Sequence, residues 1–99
     1  MKVSFRTRQL ERAFEQSDRA VRLWGDETGR RYVTRIIQLM NARDFDDIRV
    51  RAALRAHQLK GDRKGEWALN LAGRWRLIVE VAASRNEITV VEVSRHYGD

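Results

Sequence analysis

The chain has 99 residues, with 20 Lys and Arg against 14 Asp and Glu, a net charge of +6 and an isoelectric point near 10.7. A chain of this length forms one domain around a single core and has no room for a second. The absence of cysteine excludes disulfides, zinc–thiolate sites and a cysteine nucleophile. The positive surplus favours a polyanionic partner, most simply nucleic acid, although an acidic protein or a basic solvated surface would also explain it.

Nothing in the sequence indicates a membrane or an export signal. No apolar run approaches the ~20 residues that span a bilayer, and the N-terminus lacks the apolar segment of a secretory signal. We therefore expect a cytoplasmic protein. Neither a P-loop nor a dinucleotide fingerprint is present, so no nucleotide cofactor is expected.

The first quarter of the chain predicts a short strand and a helix. Residues 2–5 alternate polar and apolar side chains, as an edge strand does. Residues 7–16 follow a helical pattern, whose apolar positions are Leu10, Ala13 and Phe14. Residues 17–18 break that helix. A turn is expected next, with the apolar residues Ala20, Leu23 and Trp24.

A second helix is predicted to begin at residues 25–26, with Asp26 as its N-cap. Its apolar stripe consists of Val33, Ile36, Ile37 and Met40. Three arginines lie mostly off this stripe and are expected to form a solvated helix face, namely Arg30, Arg31 and Arg35. The helix should end at residues 41–42, and residues 44–48 could add one further turn.

From residue 56 the apolar pattern changes from the helical period to a period of two, which indicates strands. Trp67, Leu69 and Leu71 lie on one face of the first. On the next strand Trp75, Leu77, Val79 and Val81 form one face, and Arg76, Ile78 and Glu80 the other. A third strand covers residues 88–93. We therefore predict an α+β fold, with N-terminal helices packed on a small antiparallel sheet of three to four main strands, as one domain over residues 1–99.

Polar residues on and beside this sheet have the chemistry for RNA cleavage. Such cleavage requires a base for the ribose 2′-OH, a cation for the charged phosphorane and an acid for the departing 5′-oxygen. The candidates are His57, Lys60, Arg76, His96 and Tyr97. Each has an ordinary structural interpretation as well, such as a surface imidazole for His57 or an ion pair between Arg76 and Glu80. A zinc site would need three or four ligands at close spacing, so no metal is expected.

The same segment resembles a known toxin family. His57-x-Leu59-Lys60-Gly61 leads through Gly65-x-Trp67 to Gly73-x-Trp75-Arg76-Leu77. This pattern is similar to the HigB branch of the RelE/ParE superfamily, the plasmid maintenance system killer proteins. The resemblance implies a RelE-like fold and a ribosome-dependent endoribonuclease that cuts mRNA in the 30S A site. It also implies a HigA-like antitoxin with a helix-turn-helix domain.

Carried over by position, the resemblance assigns His57, Lys60, Arg76, His96 and Tyr97 to the active site. Lys60 and Arg76 would bind the phosphate, one histidine would activate the 2′-OH, and the other histidine or Tyr97 would assist the leaving group. Many HigB proteins end in Asp-Tyr-His, whereas this chain reads His96-Tyr97-Gly98-Asp99. The motif therefore matches the family directly at His57, Lys60 and Arg76, whereas the order of residues at the C-terminus differs. Ribosomal RNA would be contacted by Arg63, Lys64 and Arg74.

Two other functions are compatible with the same fold. A ParE-like toxin that inhibits gyrase would need no acid/base residues, and the presence of His57, Lys60 and Arg76 argues against it. A catalytically silent member would bind only RNA or the antitoxin. Trp67 and Trp75 share the apolar face of the strands, which favours core packing over base stacking.

Overall fold

The computed structural model describes residues 1–63 and 65–95, which form four α-helices and five strands. In chain order they are β1 (Lys2–Phe5), α1 (Arg8–Glu15), α2 (Ser17–Trp24), α3 (Asp26–Asn41), α4 (Phe45–Arg49), β2 (His57–Gln58), β3 (Glu66–Asn70), β4 (Arg76–Val81) and β5 (Glu87–Ser94). Short 3-10 turns lie at Ala52–Leu54 and Gly61–Arg63. Within the described residues, no helix is both long and apolar enough to cross a membrane.

The strands form one sheet in the order β1-β5-β4-β3-β2. β5, β4, β3 and β2 pair antiparallel, whereas β1 pairs parallel to β5 at the edge. The predicted α+β fold is therefore confirmed, and β2 adds a short strand at the other edge. The register of β4 and β5 shifts between Ile78 and Val79, so that Val91 bulges out of the pairing.

The helices cover one face of the sheet and leave the other open. The covered face contributes Leu69, Leu77, Val79, Ile88 and Val90 to the core, where they meet Tyr32, Ile36, Leu39, Phe45 and Ile48. Burying each such side chain stabilises the fold by about 1.5–3 kcal/mol. On the open face only a small apolar cluster is buried, formed by Ala68, Ile78 and Val91 with Leu59 against it. The alternation that the sequence showed thus separates a core face from a face available for chemistry.

Residues 17–24 form a full helix, so the turn expected there is wrong. α2 packs against α3 through an unusually close approach at Gly29. A Cβ at this position would lie 2.6 Å from the backbone nitrogen of Val21 and 2.7 Å from the carbonyl carbon of Ala20. Trp24 of α2 adds a ring contact to α3, with its ring centroid 4.7 Å from that of Tyr32. Tertiary packing, rather than a long apolar pattern, accounts for this helix.

The predicted stripe of α3 is only partly correct. Ile36 is fully buried, but Ile37 and Met40 are 46% and 39% exposed. Polar side chains take inward positions instead, because each finds a partner: the hydroxyl of Tyr32 donates to the carbonyl of Leu10 at 2.7 Å, and Arg35 reaches β3. The predicted N-cap is also shifted, since Gly25 caps the helix and Asp26 pairs with Arg30 in its first turn.

The close approach at Gly29 generates a stability prediction. In an ordinary helix interior, replacing glycine by alanine is stabilising. We expect Gly29→Ala instead to lower the free energy of unfolding by about 3 kcal/mol or more, because the new methyl group meets backbone that cannot move aside. Thr34→Ala, at an exposed position of the same helix, is the matched control and should change stability little. Denaturant unfolding of both variants measures the difference, and a stabilised Gly29→Ala would contradict the packing described here.

Candidate active site

His57 and Arg76 project from the open face of the sheet. His57 pairs with Ala68, which pairs with Ile78, so the imidazole lies in the row of the open-face cluster. Arg76 pairs with Asn70, two positions along β3 from Ala68, and therefore points to the same side. Strand spacing puts the two Cα atoms about 12 Å apart, a gap that two long side chains can close around a phosphodiester.

The Arg76 side chain is fixed by the turn that precedes β4. Its Nη1 donates to the carbonyls of Gly73 at 2.7 Å and Trp75 at 3.0 Å, and the residue is only 8% exposed. Within residues 1–63 and 65–95, its Nε and Nη2 make no hydrogen bond. The ion pair with Glu80 considered from the sequence is wrong, because Glu80 pairs with Arg6 at 3.5 Å. Arg76 thus holds its position with one nitrogen and keeps two for another acceptor.

Two arginines of α3 hold the same turn from the helical side. Arg35 donates through Nε to the carbonyl of Asn70 at 3.0 Å, and Arg31 donates through Nη1 to that of Leu71 at 3.3 Å. Arg35 is only 7% exposed, so its expected place on a solvated face is wrong. Burial lowers the pKa of Arg35, and the charge of Arg31 lowers it further. A buried guanidinium is tolerated here because the carbonyl of Asn70 and the side chain of Gln38 accept its hydrogen bonds.

The backbone orients the ring of His57. Nδ1 lies 3.1 Å from the carbonyl oxygen of Arg55. A carbonyl can only accept, so this contact favours the tautomer with the proton on Nδ1. Nε2 then carries the lone pair. The half-buried imidazole can therefore accept a proton through Nε2 from a group on the open face.

Lys60 lies at the far end of the sheet from Arg76. The backbone nitrogen of Leu59 donates to the carbonyl of Glu66, at the start of β3, whereas Arg76 pairs with Asn70 at its end. The length of β3 separates the two positions by about 13 Å along the strand. Lys60 is exposed. The structure thus brings His57 and Arg76 to one face but does not place Lys60 next to Arg76.

The remaining predicted residues are distributed around this face. Arg74 is exposed at the β3–β4 turn. Arg63 is ion-paired with Glu66 at 2.6 Å and with Glu92 at 2.8 Å. Lys64, His96 and Tyr97 fall outside the described residues. Ser94 pairs with Arg76, so the described part of β5 ends beside that arginine.

Two further residues were missed from the sequence, Glu92 on this face and Arg95 just after β5. Glu92 joins the row of His57, Ala68 and Ile78, but the apolar run around it gave no sign of an outward carboxylate. Arg95 lies with its guanidinium carbon 5.4 Å from the ring centroid of Trp75, a cation–π contact that strand periodicity does not reveal. In the part of the chain that the structure describes, no group of three or more metal-ligating side chains is close enough to hold an ion.

Both tryptophans of the strands pack against the core. Trp67 is partly buried, with its ring centroid 4.9 Å from that of Phe45. Trp75 also packs against the main cluster. Core packing, as the strand pattern favoured, therefore accounts for both rings.

The two arginines of α3 allow a matched test of what fixes the β3–β4 turn. We expect Arg35→Met to lower the free energy of unfolding by about 2 kcal/mol, because it leaves the partly buried carbonyl of Asn70 without its charged donor. Arg31→Met should cost less than about 0.5 kcal/mol, since that side chain is exposed. Denaturant unfolding, with amide exchange of residues 70–76, measures both. Equal losses of unfolding free energy in the two variants would show that the burial of an arginine does not determine how much it stabilises the turn.

Several solved structures have a similar fold. A YoeB/ParE toxin from Agrobacterium tumefaciens is 24% identical, with a TM-score of 0.63 over 98% of this chain and 100% of that one. A YafQ mutant from E. coli is 14% identical, with a TM-score of 0.63 over 94% of this chain and 90% of that one. A YoeB–YefM toxin–antitoxin complex from Staphylococcus aureus gives 19% identity and a TM-score of 0.61, covering 98% of each chain. These likenesses show the fold.

A search of curated proteins finds no match. The sequence model of the HigB-like toxins, described as RelE-like toxins of the type II toxin–antitoxin system HigB, matches residues 3–96. The match includes both strands that carry His57 and Arg76, and it extends through the helices to the end of the described sheet. This chain therefore belongs to the HigB-like family of RelE-like type II toxins.

Proposed function

We propose that this toxin is a ribosome-dependent endoribonuclease that cuts mRNA in the A site by metal-free attack of the ribose 2′-OH on the adjacent phosphate. One observation carries the proposal: His57 and Arg76 project from the same open face, which the helices leave uncovered. A toxin that acted only by binding a protein would not need an oriented imidazole and a fixed guanidinium on one surface.

In the proposed reaction, Nε2 of His57 takes the proton of the 2′-OH while the 2′-oxygen bonds to phosphorus. The bond to the 5′-oxygen then breaks, and an acid protonates that oxygen. The products are a 2′,3′-cyclic phosphate and a 5′-hydroxyl. The contact of His57 Nδ1 with the carbonyl of Arg55 supports its role as the base. His96 or Tyr97, which lie outside the described residues, would supply the acid.

Arg76 would stabilise the phosphorane. Its Nε and Nη2 make no hydrogen bond within the described part of the chain, and two carbonyl contacts through Nη1 fix the guanidinium. A donor that is held before substrate binds costs little reorganisation when charge develops. Lys60, at the opposite end of β3, would bind a flanking phosphate rather than the scissile one.

Ribosomal RNA would be held by basic side chains around this face. Arg74 is exposed beside Arg76, and the same role is proposed for Lys64. Such contacts provide sequence-independent affinity that falls with salt. Arg63 differs from them, because two carboxylates already hold its guanidinium.

The proposal predicts specific losses of activity. In a cell-free translation system, His57→Gln should reduce mRNA cleavage about 10²-fold or more through loss of the base. Arg76→Lys should reduce cleavage by a similar factor, because the one side-chain nitrogen of lysine would be engaged by the carbonyls of the turn and would leave no donor for the phosphate. Lys60→Ala should mainly raise KM. Mapping of mRNA 5′ ends and quantification of cleavage give these values, and circular dichroism checks the fold.

Arg30→Ala is the matched control for these variants. Arg30 is an exposed arginine of α3, and its loss removes one positive charge, as Lys60→Ala does, at a distance from the open face. Full cleavage is expected for it. Growth arrest that survives changes at His57, Lys60 and Arg76, with DNA damage signalling instead of cleaved mRNA, would favour inhibition of gyrase.

A second prediction concerns the antitoxin. The Staphylococcus aureus relatives are complexes of a toxin with its antitoxin, and we propose that a HigA-like helix-turn-helix antitoxin neutralises this toxin. An adjacent reading frame of this type, co-expressed with the toxin, should abolish growth arrest and co-purify in a stable complex. An adjacent protein that neither binds nor neutralises would contradict this partner.

A further inference from the structure

The segment between β2 and β3 is tied across the open face by one guanidinium. Arg63, in the 3-10 turn Gly61–Arg63, donates through Nε to Glu66 at 2.8 Å and forms ion pairs through Nη2 with Glu66 at 2.6 Å and Glu92 at 2.8 Å. Glu66 begins β3, whereas Glu92 belongs to β5. β4 lies between those two strands. Arg63 therefore bridges β3 and β5 over β4.

The bridge lies over the apolar cluster of the open face. Ile78 of β4 and Ala68 of β3 are fully buried although no helix covers this side, and Leu59 packs against them. Arg63 and Glu66 are partly sheltered, with side chains 25% and 13% exposed, whereas that of Glu92 is 40% exposed. Sheltered charged pairs are screened less by solvent than the fully exposed pairs elsewhere on the molecule.

Two interpretations of Arg63 make opposite predictions. If Arg63 contacts RNA phosphate directly, Glu66 and Glu92 compete with RNA for the guanidinium, so removing a carboxylate should improve binding. If Arg63 instead anchors the segment, the carboxylates are its necessary partners, and removing one should weaken RNA cleavage. The chelate-like geometry favours the second interpretation, because one planar guanidinium satisfies two carboxylates on different strands.

We propose that Arg63 is a positioning residue, which together with Glu66 and Glu92 holds residues 59–63 on the sheet so that Lys60 faces the RNA. The positive charge of Arg63 also offsets part of the negative charge of Glu66 and Glu92, which would otherwise repel phosphate from the open face more strongly. The positioning role rests on the proposed ribonuclease function. The anchoring of the segment itself does not.

Three variants separate the interpretations. Arg63→Lys keeps the charge but cannot reach two carboxylates in the planar geometry of guanidinium. Glu92→Gln removes one of the two carboxylates that bind Arg63, without substituting Arg63 itself. Asp62→Asn is the matched control, because it removes an acidic charge from the same 3-10 turn without touching the bridge. The combined Arg63→Lys/Glu92→Gln variant tests whether the two residues act as a unit.

We expect Arg63→Lys and Glu92→Gln each to lower kcat/KM for mRNA cleavage about tenfold, and the combined variant to lower it no further than either alone. Asp62→Asn should keep wild-type activity or exceed it. A Glu92→Gln protein that cleaves faster than wild type would overturn the proposal in favour of a direct phosphate contact. Independent, multiplying losses would overturn it as well.

A readout without RNA distinguishes failure of the anchor from failure of the proposed function. Amide exchange of residues 59–63 in the purified protein should accelerate at least about tenfold in Arg63→Lys and Glu92→Gln, and stay unchanged in Asp62→Asn. Unchanged exchange in all variants would overturn the anchor. If the wild-type protein cuts no mRNA while exchange behaves as expected, the ribonuclease proposal fails and the anchor stands.

Discussion

The structure depends on one asymmetry, in which helices cover a single face of a five-stranded sheet. Burial of alternate side chains fixes the register of every strand, because a slip by one residue would turn the core residues toward solvent. The same constraint decides which polar residues reach the open face. His57 and Arg76 lie there because their neighbours Gln58 and Leu77 belong to the other side. Core packing thus selects the residues that are available for chemistry.

Guanidinium groups hold the irregular parts of this fold. Arg31 and Arg35 donate to carbonyls at the end of β3 from the helical side, and Arg76 donates to carbonyls of the following turn. Arg63 bridges two strands through their carboxylates. The guanidinium suits these roles because it presents several donors in a planar arrangement. A count of positive charge therefore overstates the surface available to RNA, since some of these arginines are already engaged.

The sequence predicted the sheet half better than the helical half. Strand alternation placed Arg76 on the face opposite Leu77, and the further turn expected at residues 44–48 is present as the helix of residues 45–49. α2 was missed because its packing depends on Gly29 in another helix. The inward position of Arg35 was missed because its carbonyl partner is 35 residues away along the chain. Local patterns do not encode such distant partners.

The same distinction applies to the site. A linear motif placed His57 and Lys60 three residues apart, but His57 pairs with Ala68 at the middle of β3, whereas Lys60 follows Leu59 beyond the start of that strand. The orientation of the imidazole depends on the carbonyl of Arg55, whose backbone adopts a left-handed conformation with φ of 46°. Glu92 lay within an apolar run whose register is shifted by the bulge at Val91. The positions of His57 and Glu92 follow from strand pairing, and the orientation of the imidazole follows from the backbone conformation just before β2.

The central claim is that the 2′-OH of the A-site codon attacks the adjacent phosphate, with His57 as base and Arg76 as the phosphate's partner. It is tested most directly by placing a single 2′-deoxynucleotide at the mapped cleavage position of an mRNA loaded on ribosomes. We expect this substitution to abolish cleavage at that bond, while the all-ribose message yields a 2′,3′-cyclic phosphate and a 5′-hydroxyl. Cleavage of the deoxy-substituted bond at the normal rate would contradict it.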